Sequence, residues 1–234
     1  MGSSQTCRWH EFDSRISFEQ SAINIILESA EQAIATRGLF RIVLAGGNTP
    51  RNIYRTLCSA NAKWPAWHIY FGDERCLPAG HPERNSSMAR AEWLDHVAIP
   101  LRQIHMISGE LGPDKAALNY GLELAGIDKF DLVLLGLGED GHTASLFPGG
   151  AWEHQSPLAA VIPVHDAPKP PAQRVSLSPE RLGQASHVVY LVNGMGKREA
   201  VMDWRAGVAI PASKIRPPAG VDVFLYLGGE IPAT

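Results

Sequence analysis

Two kinds of segment alternate along this sequence, and the alternation constrains the fold more than any other feature. Short apolar runs at Phe40–Ala45 (FRIVLA), Trp67–Phe71 (WHIYF), Asp131–Leu135 (DLVLL), His187–Val192 (HVVYLV) and Val221–Leu227 (VDVFLYL) read as buried strands, with Arg102–Ile107 a weaker one. Before and between them Ser17–Arg37, Arg51–Ser59, Ser86–Val97, Lys115–Ala125 and Lys197–Ala206 carry helical spacing. In Ser17–Arg37, for example, Ile23, Ile26, Leu27, Ala30 and Ile34 fall close to one face, and Gly38 supplies a stop. Parallel strands need a crossover, usually helical, so strands separated by helices predict an α/β fold. The expected architecture is a mainly parallel sheet flanked by helices on both faces.

One stretch breaks the rhythm. Pro148–Gln173 holds Gly149, Gly150, Pro168, Pro170 and Pro171 around a strand-like LAAVIPV, and reads either as a lid over a site or as a surface connection. No repeat, low-complexity tract or linker divides the chain, so one domain over residues 1–234 is expected.

Composition removes several function classes. A formal net charge of -3 gives no global basic field to draw the chain to nucleic acid or anionic lipid, so any anion must be held by a locally built site. No apolar run approaches the ~18 residues of a spanning helix. The opening MGSSQTCRWHEFDS lacks the apolar core of a signal peptide. Cys7, Cys58 and Cys76 have no paired spacing and read as free thiols in a reducing cytoplasm; Cys76 and His81 are too isolated to suggest a metal. A small molecule is therefore the expected partner, with neither nucleic acid nor membrane.

Three polar, glycine-bearing turns follow three of the strands: AGGNTP (Ala45–Pro50), GDER (Gly72–Arg75) and GLGEDGHT (Gly136–Thr143). If the strands are parallel, all three turns leave one carboxyl edge of the sheet, where open α/β sheets bind ligands. Gly46, Gly47, Asn48 and Thr49 fit an anion cradle, in which glycines admit a close oxyanion and the next helix offers unpaired N–H groups. They fit equally a tight turn with Asn48 or Thr49 as an N-cap. Asp73 and Glu74 are expected at the rim, as candidate substrate contacts, since adjacent carboxylates cannot both enter an apolar core. Arg75 suits a bidentate phosphate contact, a catalytic role polarising a carbonyl oxygen, or an internal ion pair. His142 is the best candidate for proton transfer, with Asp140, or in its place Asp73 or Glu74, as the carboxylate that orients its ring, although a capping or surface histidine has the same local sequence. Arg174, opening RVSLS, and Lys197, in NGMGKRE, are candidates to complete anion binding, and each is equally compatible with a solvated surface charge.

The motifs GGNTP, GDERCLP, LLGLGEDGHTASLFPG, RVSLS and GMGK resemble, in order and approximate spacing, those of the 6-phosphogluconolactonases. The likeness runs from about Leu44 to Lys197, and LGLGEDGHTASLFPG is its most specific part. The sequence is similar also to the wider group that includes the glucosamine-6-phosphate deaminases. The resemblance implies a Rossmann-like sheet and hydrolysis of 6-phospho-D-glucono-1,5-lactone in the oxidative pentose phosphate pathway. It implies no metal or organic cofactor, His142 as general base and a cytoplasmic monomer or small homo-oligomer. Two departures matter. Asn48 stands where a serine is usual, and AGHPERNSSMAR fits the usual serine–asparagine pattern loosely, which sets Asn85 and Ser86 aside as site candidates. Deaminases carry a glutamate shortly after the glycine–histidine pair, whereas Ala144–Pro148 (ASLFP) has no carboxylate. A non-catalytic phosphosugar sensor would keep the cradle and need no His142.

Overall fold

Phe130–Leu135 is buried at all six positions, and the large sheet is built around it. A strand covered on both faces must also pair at both edges, and its neighbours are Phe40–Leu44 and Ala185–Asn193. The computed structural model describes residues 5–156 and 158–228. The strands are β1 (Cys7–Glu11), β2 (Phe40–Leu44), β3 (Trp67–Phe71), β4 (Asp73–Arg75), β5 (Phe130–Leu135), β6 (Val161–Val164), β7 (Arg174–Leu177), β8 (Ala185–Asn193) and β9 (Val221–Tyr226). The α-helices are α1 (Arg15–Arg37), α2 (Asn48–Leu57), α3 (Asn85–Glu92), α4 (Pro113–Leu124), α5 (Pro179–Gly183) and α6 (Arg198–Arg205).

The large sheet has the order β1-β9-β8-β5-β2-β3, every neighbouring pair parallel and helices flanking it. From β2 the chain steps outward to β3; it then crosses to β5 and moves outward through β8 and β9 on the other side. The order therefore reverses between β2 and β5. Loops leaving the carboxyl ends of those two strands diverge, and a crevice opens between them.

Helix α1 shows how local sequence fixes an element. Its N-cap Ser14 accepts a hydrogen bond from the Ser17 N–H at 3.1 Å, satisfying one of the orphan donors of the first turn. At the far end Gly38 adopts φ 78° and donates to the Ile34 carbonyl at 2.8 Å, a left-handed cap that a Cβ would strain. Phe18, Ala22, Ile23, Ile26, Ala30 and Ala33 make the buried face, which packs on β2, β5 and β9.

Three features differ from the sequence reading. Arg102–Ile107 is not a strand: Leu101–Gln103 forms a 3-10 turn, and a single bridge joins Ile104 to Ile69. Gln103 bonds inward to the carbonyls of Pro65 and Trp67, at 2.9 and 2.7 Å, which turns the segment away from a regular ladder on β3. A first strand, β1, lies at the sheet edge beyond β9. The third feature is a second, antiparallel sheet of order β4-β7-β6, drawing one strand from GDER and another from Pro148–Gln173. Pro163 is tolerated because β6 is the edge of that sheet.

Candidate active site

Beyond β2 the chain turns at Gly46 and Gly47. Helix α2 begins at Asn48 with Gly47 as its N-cap, so neither Asn48 nor Thr49 caps it. Gly47 has φ 102°, a conformation open to glycine, and it offers no side-chain acceptor to the first-turn N–H groups. Gly46 is required for a different reason: a Cβ there would lie 2.0 Å from Asn85 Oδ1.

Asp73 and Glu74 are both buried, contrary to the expectation that they sit at the rim. Burial is tolerable because every oxygen finds donors. Glu74 Oε1 accepts from the N–H groups of Arg75 and Asn85, at 2.9 and 2.7 Å, and Oε2 from Ser86 N–H at 2.9 Å. The carboxylate thereby caps helix α3, whose own N-cap, Arg84, makes no side-chain cap bond, and meets the positive end of its dipole. Its ion-pair partner is Arg84, at 3.6 Å, rather than Arg75. Asp73 accepts from Asn85 Nδ2 at 3.0 Å and from the Ser145 hydroxyl at 2.6 Å. Arg75 directs Nη1 to the Glu83 carbonyl at 2.6 Å.

Beyond β5 a tight loop carries His142. Gly138 N–H donates to the His142 carbonyl at 2.7 Å, and the Thr143 hydroxyl donates to the Gly136 carbonyl at 2.8 Å. The fold of this loop brings the Asp140 carboxylate onto His142 Nδ1 in a short hydrogen bond. Gly138 is the condition for that pairing, since a Cβ there would lie 1.9 Å from His142 Nδ1 and 2.5 Å from Asp140 Oδ1. Phe147 packs against the ring with centroids 4.6 Å apart. The next residue but one, Ala144, holds φ 49°, a left-handed conformation that costs a non-glycine residue about 1–3 kcal/mol.

Electrostatics favour a neutral imidazole that can accept a proton. Burial lowers the His142 pKa and outweighs the upward pull of Asp140, so the net displacement from the ordinary histidine value is downward. Burial raises the Asp140 pKa, but the hydrogen bonds and charge of His142 outweigh it and leave the carboxyl below its usual range. With Nδ1–H committed to Asp140, Nε2 is the free acceptor.

These parts meet in a cleft of about 210 Å³ at the reversal between β2 and β5. Gly46, Gly47, Asp73, Arg75, His142, Arg174 and Lys197 all line it. Lys197 ends a 3-10 turn after β8, and burial lowers its pKa. Asp140 stands behind the imidazole rather than in the wall, Glu74 lies beneath α3, and Asn48 and Thr49 fall outside the lining. A larger depression of about 590 Å³, between Trp152 and Arg216, contains none of these side chains. Asn85, set aside in the sequence, lines the cleft and joins its two walls through Gly46 and Asp73. The signal that pointed to it was GG after a strand, but that signal does not say which side chain fills the space a Cβ would take.

Comparison with known proteins gives the chain a family. Residues 13–224 match the family described as glucosamine-6-phosphate isomerases/6-phosphogluconolactonase. The chain belongs to this family. Among its relatives is a 6-phosphogluconolactonase of Synechocystis, 37% identical over 204 residues that cover 82% of each protein. A 6-phosphogluconolactonase of Nostoc is 33% identical over 212 residues, covering 84% of this chain and 85% of that one. A solved 6-phosphogluconolactonase from Trypanosoma brucei superimposes with a TM-score of 0.83 at 28% identity, covering 94% of this chain and 96% of the other. One from Thermotoga maritima, 24% identical, gives 0.86 over 94% and 99% and shares the fold.

Proposed function

We propose that this member of the family is a 6-phosphogluconolactonase, hydrolysing 6-phospho-D-glucono-1,5-lactone to 6-phospho-D-gluconate in the oxidative pentose phosphate pathway. The observation that carries the reading is the His142–Asp140 pair facing a cleft that Arg75, Arg174 and Lys197 also line. His142 Nε2 takes a proton from water, whose oxygen bonds to the C1 carbonyl carbon. The carbonyl oxygen becomes an oxyanion, stabilised by Arg75 or backbone donors. When the intermediate collapses, the C1–ring oxygen bond breaks, and the imidazolium returns its proton to that oxygen. One water is consumed and the imidazole ends neutral. Asp140 holds the tautomer and stabilises the imidazolium.

In this reading Gly46 and Gly47, with the open N-terminus of α2, receive phosphate together with Lys197 and Arg174, while Asn48 and Thr49 border that cradle. Asp73 orients the network around Asn85, and Glu74 supports α3. Water and a histidine suffice for the chemistry, so the reaction as written uses no metal or organic cofactor. The reading extends to one domain over 1–234 acting in the cytoplasm on a small phosphosugar, as a monomer or small homo-oligomer. No helix of the described residues is long and apolar enough to cross a membrane.

Amino-sugar ring opening is disfavoured because ASLFP after His142 provides no carboxylate. The test offers the protein two substrates in parallel: proton release from 6-phosphogluconolactone and ammonia release from glucosamine 6-phosphate. Lactone turnover without ammonia is the expected result, and ammonia release without lactone turnover would overturn the assignment.

A further inference from the structure

Most of the Arg174 guanidinium is occupied by the chain just before it. Nε donates to the Pro171 carbonyl at 3.0 Å, and Nη2 to the carbonyls of Lys169 and Pro170 at 2.9 and 3.3 Å. The residue is 7% exposed, and Cζ lies 5.4 Å from the centre of the Phe147 ring, the same ring that packs on His142. A buried guanidinium bonded in this way is a clamp. It pins residues 169–171 against the wall that carries the imidazole, and the one charged side chain in that short segment is Lys169, which is exposed.

The charge balance of the cleft leaves a place for it. Arg75, Arg174 and Lys197 line the space, but Asp73 lines it too, Asp140 backs His142, and Glu139 lies beside Lys197. A Cβ on Gly196 would stand 2.8 Å from Glu139 Oε1, so that carboxylate is close against the Lys197 turn. Three cations against three carboxylates give no net attraction, whereas a phosphate monoester brings about two negative charges.

We infer that Lys169 is a substrate-contacting residue, its ammonium completing the phosphate site with Lys197 and Arg174, and that Arg174, through Nε and Nη2, also holds the segment that presents it. The inference rests on the substrate proposed above. Lys169 also bears on the base. It depresses the pKa of both His142 and Lys197, although burial is the larger cause in each. The charged groups acting on the imidazole are Asp140, Lys169 and Asp73, so removing the ammonium shifts the His142 pKa upward.

The experiment compares wild type with Lys169→Ala and Lys169→Arg by steady-state hydrolysis of 6-phosphogluconolactone across pH. In Lys169→Ala, KM should rise about tenfold with kcat little changed, and the acid limb of kcat/KM should move to higher pH. Lys169→Arg should restore both, which a merely structural role would not require. Unchanged KM and an unmoved acid limb in Lys169→Ala would overturn the inference while leaving the lactonase reading intact. Should wild type fail to hydrolyse the lactone, that reading falls, and calorimetric titration with inorganic phosphate decides the inference separately. Weaker phosphate binding by Lys169→Ala then supports it; equal binding, or none by wild type, overturns it.

Discussion

At the residue scale, the arrangement turns on His142 and the groups that set its proton affinity. Burial holds its pKa below the ordinary histidine value, so the acid limb of kcat/KM is expected below about 6.5. Asp140→Asn removes the nearby negative charge that raises that pKa. The limb should then move to still lower pH, while kcat falls because the tautomer is no longer held; a pH–rate series on both proteins checks this. A limb that moves upward would mean that Asp140 does not face the imidazole. Gly138→Ala is a steric test of the same pair. The added methyl cannot share space with His142 Nδ1, so kcat should fall by about 10² or more, with far-ultraviolet circular dichroism unchanged. His142 was legible in GLGEDGHT, but its partner was not: Asp140, Asp73 and Glu74 were all open to it, and only the fold of the loop brings Asp140 onto Nδ1. Asn85 was not legible either, because its place depends on a glycine 39 positions earlier whose missing Cβ it fills.

At the element scale, the near-continuous apolar strands were readable, and those carrying charged or polar side chains were not, whether exposed or buried. β2, β3 and β5 are near-continuous apolar runs, so these strands and the loops that follow them could be anticipated. β1 reads CRWHE, an edge strand with polar residues at most positions, and it exists because β9 offers it a ladder. β4 is three charged residues long and is a strand because β7 pairs with it. Glu74 shows why local reasoning failed there. Its burial is compensated by N–H groups at the start of α3, eleven and twelve residues later, which no local pattern records. Glu74→Gln should therefore destabilise the fold by roughly 3 kcal/mol, since one oxygen is replaced by a donor facing N–H groups and Arg84 loses a charge partner. Urea unfolding reads this directly: the midpoint should fall, and an unchanged midpoint would show that the carboxylate does not carry the α3 terminus.

At the scale of the whole molecule, a six-stranded parallel sheet presents the carboxyl ends of β2 and β5 on either side of one reversal point. The second sheet brings β4 and β7, with Arg75 and Arg174, to the same cleft. In the six-stranded sheet the first and last strands, β1 and β9, are joined by Asp222, which accepts from Arg8 at 2.8 and 2.7 Å and pairs with His10 at 2.8 Å. Burial raises the Asp222 pKa, but these partners outweigh it and leave the carboxyl depressed. A depressed carboxyl contributes stability above its unfolded pKa and loses it as pH falls through the folded value. Asp222→Asn should thus be less stable than wild type near neutrality, and the gap should close as pH drops below about 4. Urea midpoints of both proteins across that range test it, and a gap that widens with acid would contradict it. The catalytic function itself is tested most directly by stopped-flow hydrolysis of freshly generated 6-phosphogluconolactone by wild type and His142→Ala, each set against buffer alone because the lactone also opens spontaneously. The expected result is rapid opening by wild type and a kcat lower by at least about 10² in a variant that still folds. Opening by wild type at the buffer rate, or an undiminished rate in His142→Ala, would contradict it.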